Sequence, residues 1–222
     1  MILNNQEKII AEEIVAIGKR MYDRGYVASN DGNISVRIDN NTIMITPSGV
    51  SKGFMQIDDM IVLDNRGNII SGNKNPSTEL EMHLTIYRER PEIQSVCHAH
   101  TPYATAFAVA GISINQPALT EVVISLGKVP LVPFGVTGTS ELSDNLLPFI
   151  KNHNAFLLAN HGALAIGTNL LSAYYNLETL EHTATILFLA RQLGEVRTLT
   201  QEQIEKLIAR RDDFGISRNL GM

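Results

Sequence analysis

Residues 95–100, Ser-Val-Cys-His-Ala-His, constrain this chain more than any other segment, because they set two histidines one residue apart in an otherwise apolar run. Read as a buried strand, the run points His98 and His100 to the same side, since side chains alternate along a strand. Two imidazoles on one face are either a structural pair or part of a metal site, and a third would complete a common tripod for a catalytic ion. His161 is the best third candidate. It follows the apolar run Ala-Phe-Leu-Leu-Ala at 155–159, where Asn160-His161-Gly162 turns the chain and can project the ring from a sheet edge. Glu79, in the first turn of the helix before the His-x-His strand, is placed to be a fourth ligand or a base beside the metal. Taken alone it reads as a solvated carboxylate favoured by the helix dipole. His83 shares a helix face with Glu79 and reads as a core-edge histidine with a local hydrogen bond more than as a ligand. His153 and His182 lie in polar surroundings and read as surface residues.

The remaining chain alternates helical and extended patterns. Ile10, Ile14, Ile17 and Met21 recur at helical spacing ahead of Gly25, which predicts an amphipathic first helix. Residues 33–38 and 42–46 read as short strands, and residues 60–70 as a hairpin around Asn65-Arg66-Gly67-Asn68. A helix is expected to start near Asn75-Pro76-Ser77-Thr78, with Thr78 and Glu81 at capping-box spacing, and to stop at Pro91. Further helices are expected over 101–110, ended by Gly111, and over 170–193, ended by Gly194. A last helix, capped by Thr200 and Gln203, is expected to give out near Gly215. Residues 155–167 read as two strands joined at His161. Short hairpin joins predict a largely antiparallel sheet within an α/β layered fold. No internal repeat or Pro/Gly/Ser linker interrupts the 222 residues, so they read as one domain.

Three small polar clusters suit an anion: Asp31-Gly32-Asn33, Thr46-Pro47-Ser48-Gly49 and Pro76-Ser77-Thr78. Each alone is a turn or a cap. Together, ahead of the histidine pair, their backbone N–H groups and hydroxyls can cradle a phosphate. None contains Lys or Arg, so neutral donors are expected to hold it.

Several function classes drop out. A net charge of −5 with no Lys/Arg cluster argues against general nucleic-acid binding. No apolar run of about 20 residues predicts a membrane span, and the N-terminus lacks the pattern of a secretory signal. Cys97 is the single cysteine and cannot form an internal disulfide, which favours the reducing cytoplasm.

Taken jointly, these residues resemble the class II aldolase/adducin family. The resemblance rests on Gly-Asn-Ile-Ser at 32–35, Ile-Thr-Pro-Ser-Gly at 45–49, Pro-Ser-Thr-Glu at 76–79, Arg-Pro-Glu-Ile-Gln-Ser-Val-Cys-His-Ala-His-Thr at 90–101 and Ala-Asn-His-Gly-Ala at 159–163. It implies a three-layer α/β/α fold around a mostly antiparallel sheet, assembled as a homotetramer with active sites between subunits. It assigns His98, His100 and His161 as ligands of Zn2+ (with Co2+, Mn2+ or Fe2+ as alternatives), and Glu79 as a metal neighbour and acid/base. Asn33, Ser48, Gly49, Ser77 and Thr78 fall where the family binds the phosphate of a small sugar substrate. Glu121 matches a catalytic position, with a tyrosine from a neighbouring subunit's C-terminal segment as the alternative base. The implied activity is retro-aldol cleavage of a ketose 1-phosphate to dihydroxyacetone phosphate and an aldehyde. Epimerase or dehydratase chemistry on the same site, or a non-catalytic adducin-head-like role, are the alternatives.

Overall fold

The computed structural model describes residues 3–214. Strand patterning resolves into one eight-stranded sheet of order β4-β3-β2-β1-β5-β8-β7-β6. The strands are β1 (Asn33–Arg37), β2 (Thr42–Ile45), β3 (Ile61–Asp64), β4 (Ile69–Ser71), β5 (Ser95–Ala99), β6 (Leu131–Val132), β7 (Ala155–Leu158) and β8 (Gly162–Gly167). All neighbours are antiparallel except β6 and β7. The helices are α1 (Asn5–Asp23), α2 (Leu80–Glu89), α3 (Pro102–Val109), α4 (Thr120–Ser125), α5 (Ser140–Ile150), α6 (Leu170–Leu193) and α7 (Gln201–Ile208). Among the described residues, no helix is long and apolar enough to cross a membrane.

Period-two alternation divides the core into two. Ile34, Val36, Cys97, Ala99, Leu157 and Ala163 pack on one sheet face against Ile14 and Met21 of α1, Phe107 of α3, Val122 of α4 and Tyr174 of α6. Ile43, Ile45, Val96, Phe156, Leu164 and Ile166 pack on the other against Met82 and Ile86 of α2 and Leu142 and Leu146 of α5. This is the expected three-layer α/β/α arrangement. Each fully buried aliphatic or aromatic side chain contributes roughly 1.5–3 kcal/mol relative to exposure. The same parity that sends Val96 to the α2 face sends His98 there too, directly opposite Asn33 of β1.

The long helices follow their sequence patterns. On α1, Ile14, Ile17 and Met21 are buried, and Asn4 and Glu7 form a capping box. The box at Thr200 and Gln203 forms as predicted, but α7 ends at Ile208 and a 3-10 turn follows at Arg211–Phe214. Gly215 lies outside the described residues.

Two departures matter for the site. No capping box forms at Thr78 and Glu81. The N-cap of α2 is Glu79, without a side-chain cap bond, because its carboxylate turns into the histidine cluster. Glu81 instead pairs with Arg88 at 2.5 Å. The second departure is residues 112–154, for which no helical or strand pattern was read; they form α4, β6 and α5.

Candidate metal centre

The site is built at one end of the central strands. His98 lies within β5 and is fully buried, whereas His100 lies just past its end and is partly exposed. His161 sits in the turn between β7 and β8, where Asn160 adopts φ 55°, a left-handed conformation that Asn tolerates better than most residues. At Gly162 a Cβ would stand 2.7 Å from the Ala99 carbonyl oxygen and 2.8 Å from Cδ2 of His100. Glycine is therefore what lets β8 close against the two imidazoles. The adjacent β5–β8 pairing aligns Ala99 with Ala163.

One ligating atom from each of His98, His100 and His161 lies within 4.8 Å of the others. Ring hydrogen bonds determine which nitrogens face inward. His98 donates from Nδ1 to the Ala163 carbonyl at 2.9 Å, and His100 directs Nδ1 at Asp31 Oδ2, 3.3 Å away. Both Nε2 atoms are thereby left as lone-pair acceptors, and they face each other at 3.2 Å. Glu79 Oε2 lies 3.3 Å from His98 Nε2, and Glu79 Oε1 lies 3.0 Å from His161 Nε2. Oε1 is nevertheless buried with no hydrogen-bond partner among the described residues. Converging lone pairs beside an unpartnered carboxylate oxygen repel one another unless a cation lies among them. The residues therefore fit a divalent ion, with tripod, carboxylate and outer-sphere partners to orient the rings.

Electrostatics agree with this arrangement. Burial pushes His98 down to about 3, against the pull of Glu79, and burial also lowers His100. Both rings are neutral at pH 7, the state that binds metal. For Glu79, burial alone would raise the carboxyl, but His98, His161 and the Asn33 amide outweigh it and hold the group below the ordinary carboxylate range.

The cradle forms beside the imidazoles. Ser48 donates its backbone N–H to Asn75 O at 2.9 Å, Ser77 donates its own to Thr46 O at 3.3 Å, and Pro47 pairs with Pro76. These bonds join two of the polar clusters, and β1 brings in the third. Asn33, Ser48, Gly49, Ser77, Thr78, Glu79, His100 and His161 all line one cavity of about 200 Å³. Asn33 is buried there, with Nδ2 donating to Glu79 Oε2 at 2.6 Å. Glu121 is elsewhere. It lies in the first turn of α4 and lines a separate groove with Arg24, Glu178 and His182, none of which borders the histidine cavity. Residues 176–222 contain no tyrosine that could act as the alternative base.

Some site residues have a role that the sequence did not signal. Asp31, expected within an anion-binding cluster, instead orients His100, and Thr137 reaches the cavity from the loop before α5. Lys52 is almost fully buried behind the cradle and donates from Nζ to Asn30 O at 3.1 Å and Val50 O at 2.8 Å. It ties together the two turns that form the cavity's walls, and burial pushes its ammonium down to about 8 against the pull of Asp31.

Comparison with known proteins bears on the family. Residues 12–188 match the Class II Aldolase and Adducin N-terminal domain family. The chain is 36% identical over 200 residues to the 3-oxo-tetronate 4-phosphate decarboxylase of Haemophilus influenzae, covering 88% of this chain and 94% of that protein. It is 34% identical over 206 residues to the 5-deoxy-D-ribulose 1-phosphate aldolase of Bacillus thuringiensis, covering 92% and 96%. The solved structure of an L-fuculose 1-phosphate aldolase superposes with a TM-score of 0.86 at 31% identity, covering 95% of this chain and 98% of that one. The sheet order, the histidine cluster and these matches together make the chain a member of the class II aldolase and adducin N-terminal domain family.

Proposed function

We propose that the chain is a divalent-metal lyase that reversibly cleaves a ketose 1-phosphate to dihydroxyacetone phosphate and an aldehyde. The observation that carries this reading is the convergence of three imidazoles and a buried carboxylate beside a wall of neutral hydrogen-bond donors. Class II aldolases are metal-dependent, and three imidazoles with a carboxylate suit one Zn2+ per subunit best, with Co2+, Mn2+ or Fe2+ also accommodated. When bound, such an ion is a Lewis acid that offsets the negative charge developing on substrate oxygens as the C3–C4 bond breaks.

The chain's own residues do the rest. Hydroxyls of Ser48, Ser77 and Thr78, the Gly49 turn and the second N–H of Asn33 hold the phosphate. In the condensing direction the Glu79 carboxylate takes a proton from the hydroxymethyl carbon of dihydroxyacetone phosphate; in cleavage it returns that proton to C3. Glu121 takes the C4 hydroxyl proton as the aldehyde forms. Glu121 lines a different groove of its own chain, so this role requires it to enter the cavity of a neighbouring subunit, as in a homotetramer with active sites between subunits. The single thiol, Cys97, is pushed up to about 12 by burial and suits a reducing cytoplasm. Keeping all four metal-site residues argues against a purely structural, adducin-head-like role.

A second reading, decarboxylation of a phosphorylated 3-oxo acid, is favoured by the resemblance to the Haemophilus influenzae decarboxylase and by the position of Glu121 outside the histidine cavity. Loss of carbon dioxide from 3-oxo-tetronate 4-phosphate leaves the same three-carbon ketone phosphate and needs no base at a hydroxyl. The test is metal content together with product analysis for ketose 1-phosphates and 3-oxo-tetronate 4-phosphate, using wild type, His100→Ala and Glu121→Gln. The proposal expects about one metal per chain and aldehyde release, lost with His100→Ala and lowered about 10²–10⁴-fold with Glu121→Gln. Carbon dioxide release indifferent to Glu121→Gln would establish the second reading instead. Epimerised or dehydrated products would sink both, and a chain without metal would end the enzyme assignment.

A further inference from the structure

Behind Glu79, away from the imidazoles, a second polar constellation runs from Asn33 at the cavity wall to Ser35, His83 and Tyr87, which do not line the cavity. β1 turns Asn33 and Ser35 toward α2, while Glu79, His83 and Tyr87 recur every four residues along the facing side of that helix. Asn33, Ser35, His83 and Tyr87 are all buried. Asn33 Nδ2 is 2.6 Å from Glu79 Oε2, and Asn33 Oδ1 is 2.5 Å from His83 Nε2. His83 Nδ1 is 2.6 Å from Ser35 Oγ, which is 2.7 Å from the Tyr87 hydroxyl.

The proton positions follow from the acceptor at one end. An ionised carboxylate only accepts, so Asn33 must present its NH2 to Glu79 and its oxygen to His83. The His83 Nε2 must then carry hydrogen and donate to that oxygen. In a neutral ring Nδ1 is left as an acceptor, so Ser35 donates to it and receives the Tyr87 hydroxyl in turn. Every donor in the chain points toward Glu79. We propose that Tyr87, Ser35, His83 and Asn33 form a one-directional hydrogen-bond relay that pins Glu79 Oε2 and leaves Oε1 facing the site. His83 is its central positioning residue. The inference rests on the reading of Glu79 as the working carboxylate. The relay explains why a polar row is kept between a strand and a helix that otherwise meet through apolar side chains.

If His83 took the other tautomer, its bare Nε2 would face the Asn33 oxygen. The amide would flip, and two oxygens would confront each other across 2.6 Å. The first measurement is therefore imidazole 15N NMR of the metal-free and the metal-loaded chain, which needs no substrate. The expected result is the Nε2–H tautomer at His83 in both, retained in Ser35→Ala because the Asn33 oxygen sets it; an Nδ1–H ring in wild type overturns the relay. The second is steady-state kinetics of His83→Leu and His83→Gln, since the glutamine amide can still donate where Nε2 did. His83→Leu should lower kcat about 10- to 100-fold with KM and metal content unchanged, and His83→Gln should recover most of the loss. Equal losses for the two, or a rise in KM alone, would overturn it. Should His83→Leu fail to fold, Tyr87→Phe and Ser35→Ala each remove a single oxygen. Wild-type kcat in both variants would likewise refute the relay. A wild-type chain with the predicted tautomer but no lyase turnover would remove the proposed function while leaving the hydrogen-bond direction intact.

Discussion

The two sides of Glu79 differ in how completely their polar atoms are paired. Toward the imidazoles, Glu79 Oε1 and His161 Nδ1 are buried without hydrogen-bond partners among the described residues, and two ring nitrogens face each other as acceptors. Toward α2, each polar side chain in the row from Asn33 to Tyr87 is bonded to the next. A buried polar atom left unpaired costs about 1–3 kcal/mol. The unpaired side is thus built to receive a guest, and the paired side is built to stay still. Catalytic groups need both: a rigid backing and an unmet valence facing the substrate.

The largest effect should come from emptying the unpaired side. His98→Ala or Glu79→Gln should lower turnover by about 10²–10⁴-fold or more. Removing the metal with a chelator should abolish turnover while far-UV circular dichroism stays unchanged. Unfolding on chelation would mean that the metal is structural and the contrast false. A smaller effect is expected from crowding that side without removing a ligand. Gly162→Ala pushes a methyl group against the Ala99 carbonyl and the His100 ring, so metal affinity should fall about 10- to 100-fold in a competition titration. Wild-type affinity would show that the rings do not need this close approach.

The smallest effect concerns the paired side and pH. Burial pushes His83 down to about 4, whereas an unfolded histidine titrates near its ordinary 6.5. Below pH 6.5 the unfolded chain takes up a proton that the folded chain refuses. Stability should therefore be full above pH 6.5 and decline toward pH 4, by about 3 kcal/mol at most from this group. Denaturant unfolding across that range should show the slope, and His83→Gln should flatten it. An unchanged slope in the variant would remove His83 as its cause.

The three clustered histidines were legible because their pattern is local. The His-x-His spacing in an apolar strand sets their common face by parity, and the Asn-His-Gly turn announces a third ring between two strands. Glu79 was found through its position at a helix start, although the capping box expected one residue earlier does not form. Its carboxylate is drawn instead to the histidine cluster, a preference invisible to helix-end rules. His83 shows the limit more sharply. Local hydrogen bonding was expected of it, but its partners lie 48 and 50 residues away on β1. Within residues 112–154, α4 and β6 are too short to carry a readable period, whereas Leu142, Leu146 and Ile150 of α5 do recur at helical spacing, a local signal that was there to read. Glu121 lies in that stretch, and its family-matched position gave no hint of the groove it lines.

Period, parity and turn chemistry are interactions between neighbours in the chain, so the sequence by itself determined the mixture of helices and hairpin-joined strands, the shared face of His98 and His100 and the turn that carries His161. The tertiary structure alone decided that Asn33 and His83 stand behind Glu79, that Lys52 braces the cradle from within, and that Glu121 belongs to another face. Those placements depend on which strand lies beside which helix. Sheet order sets that adjacency across tens of residues, and no local pattern encodes it.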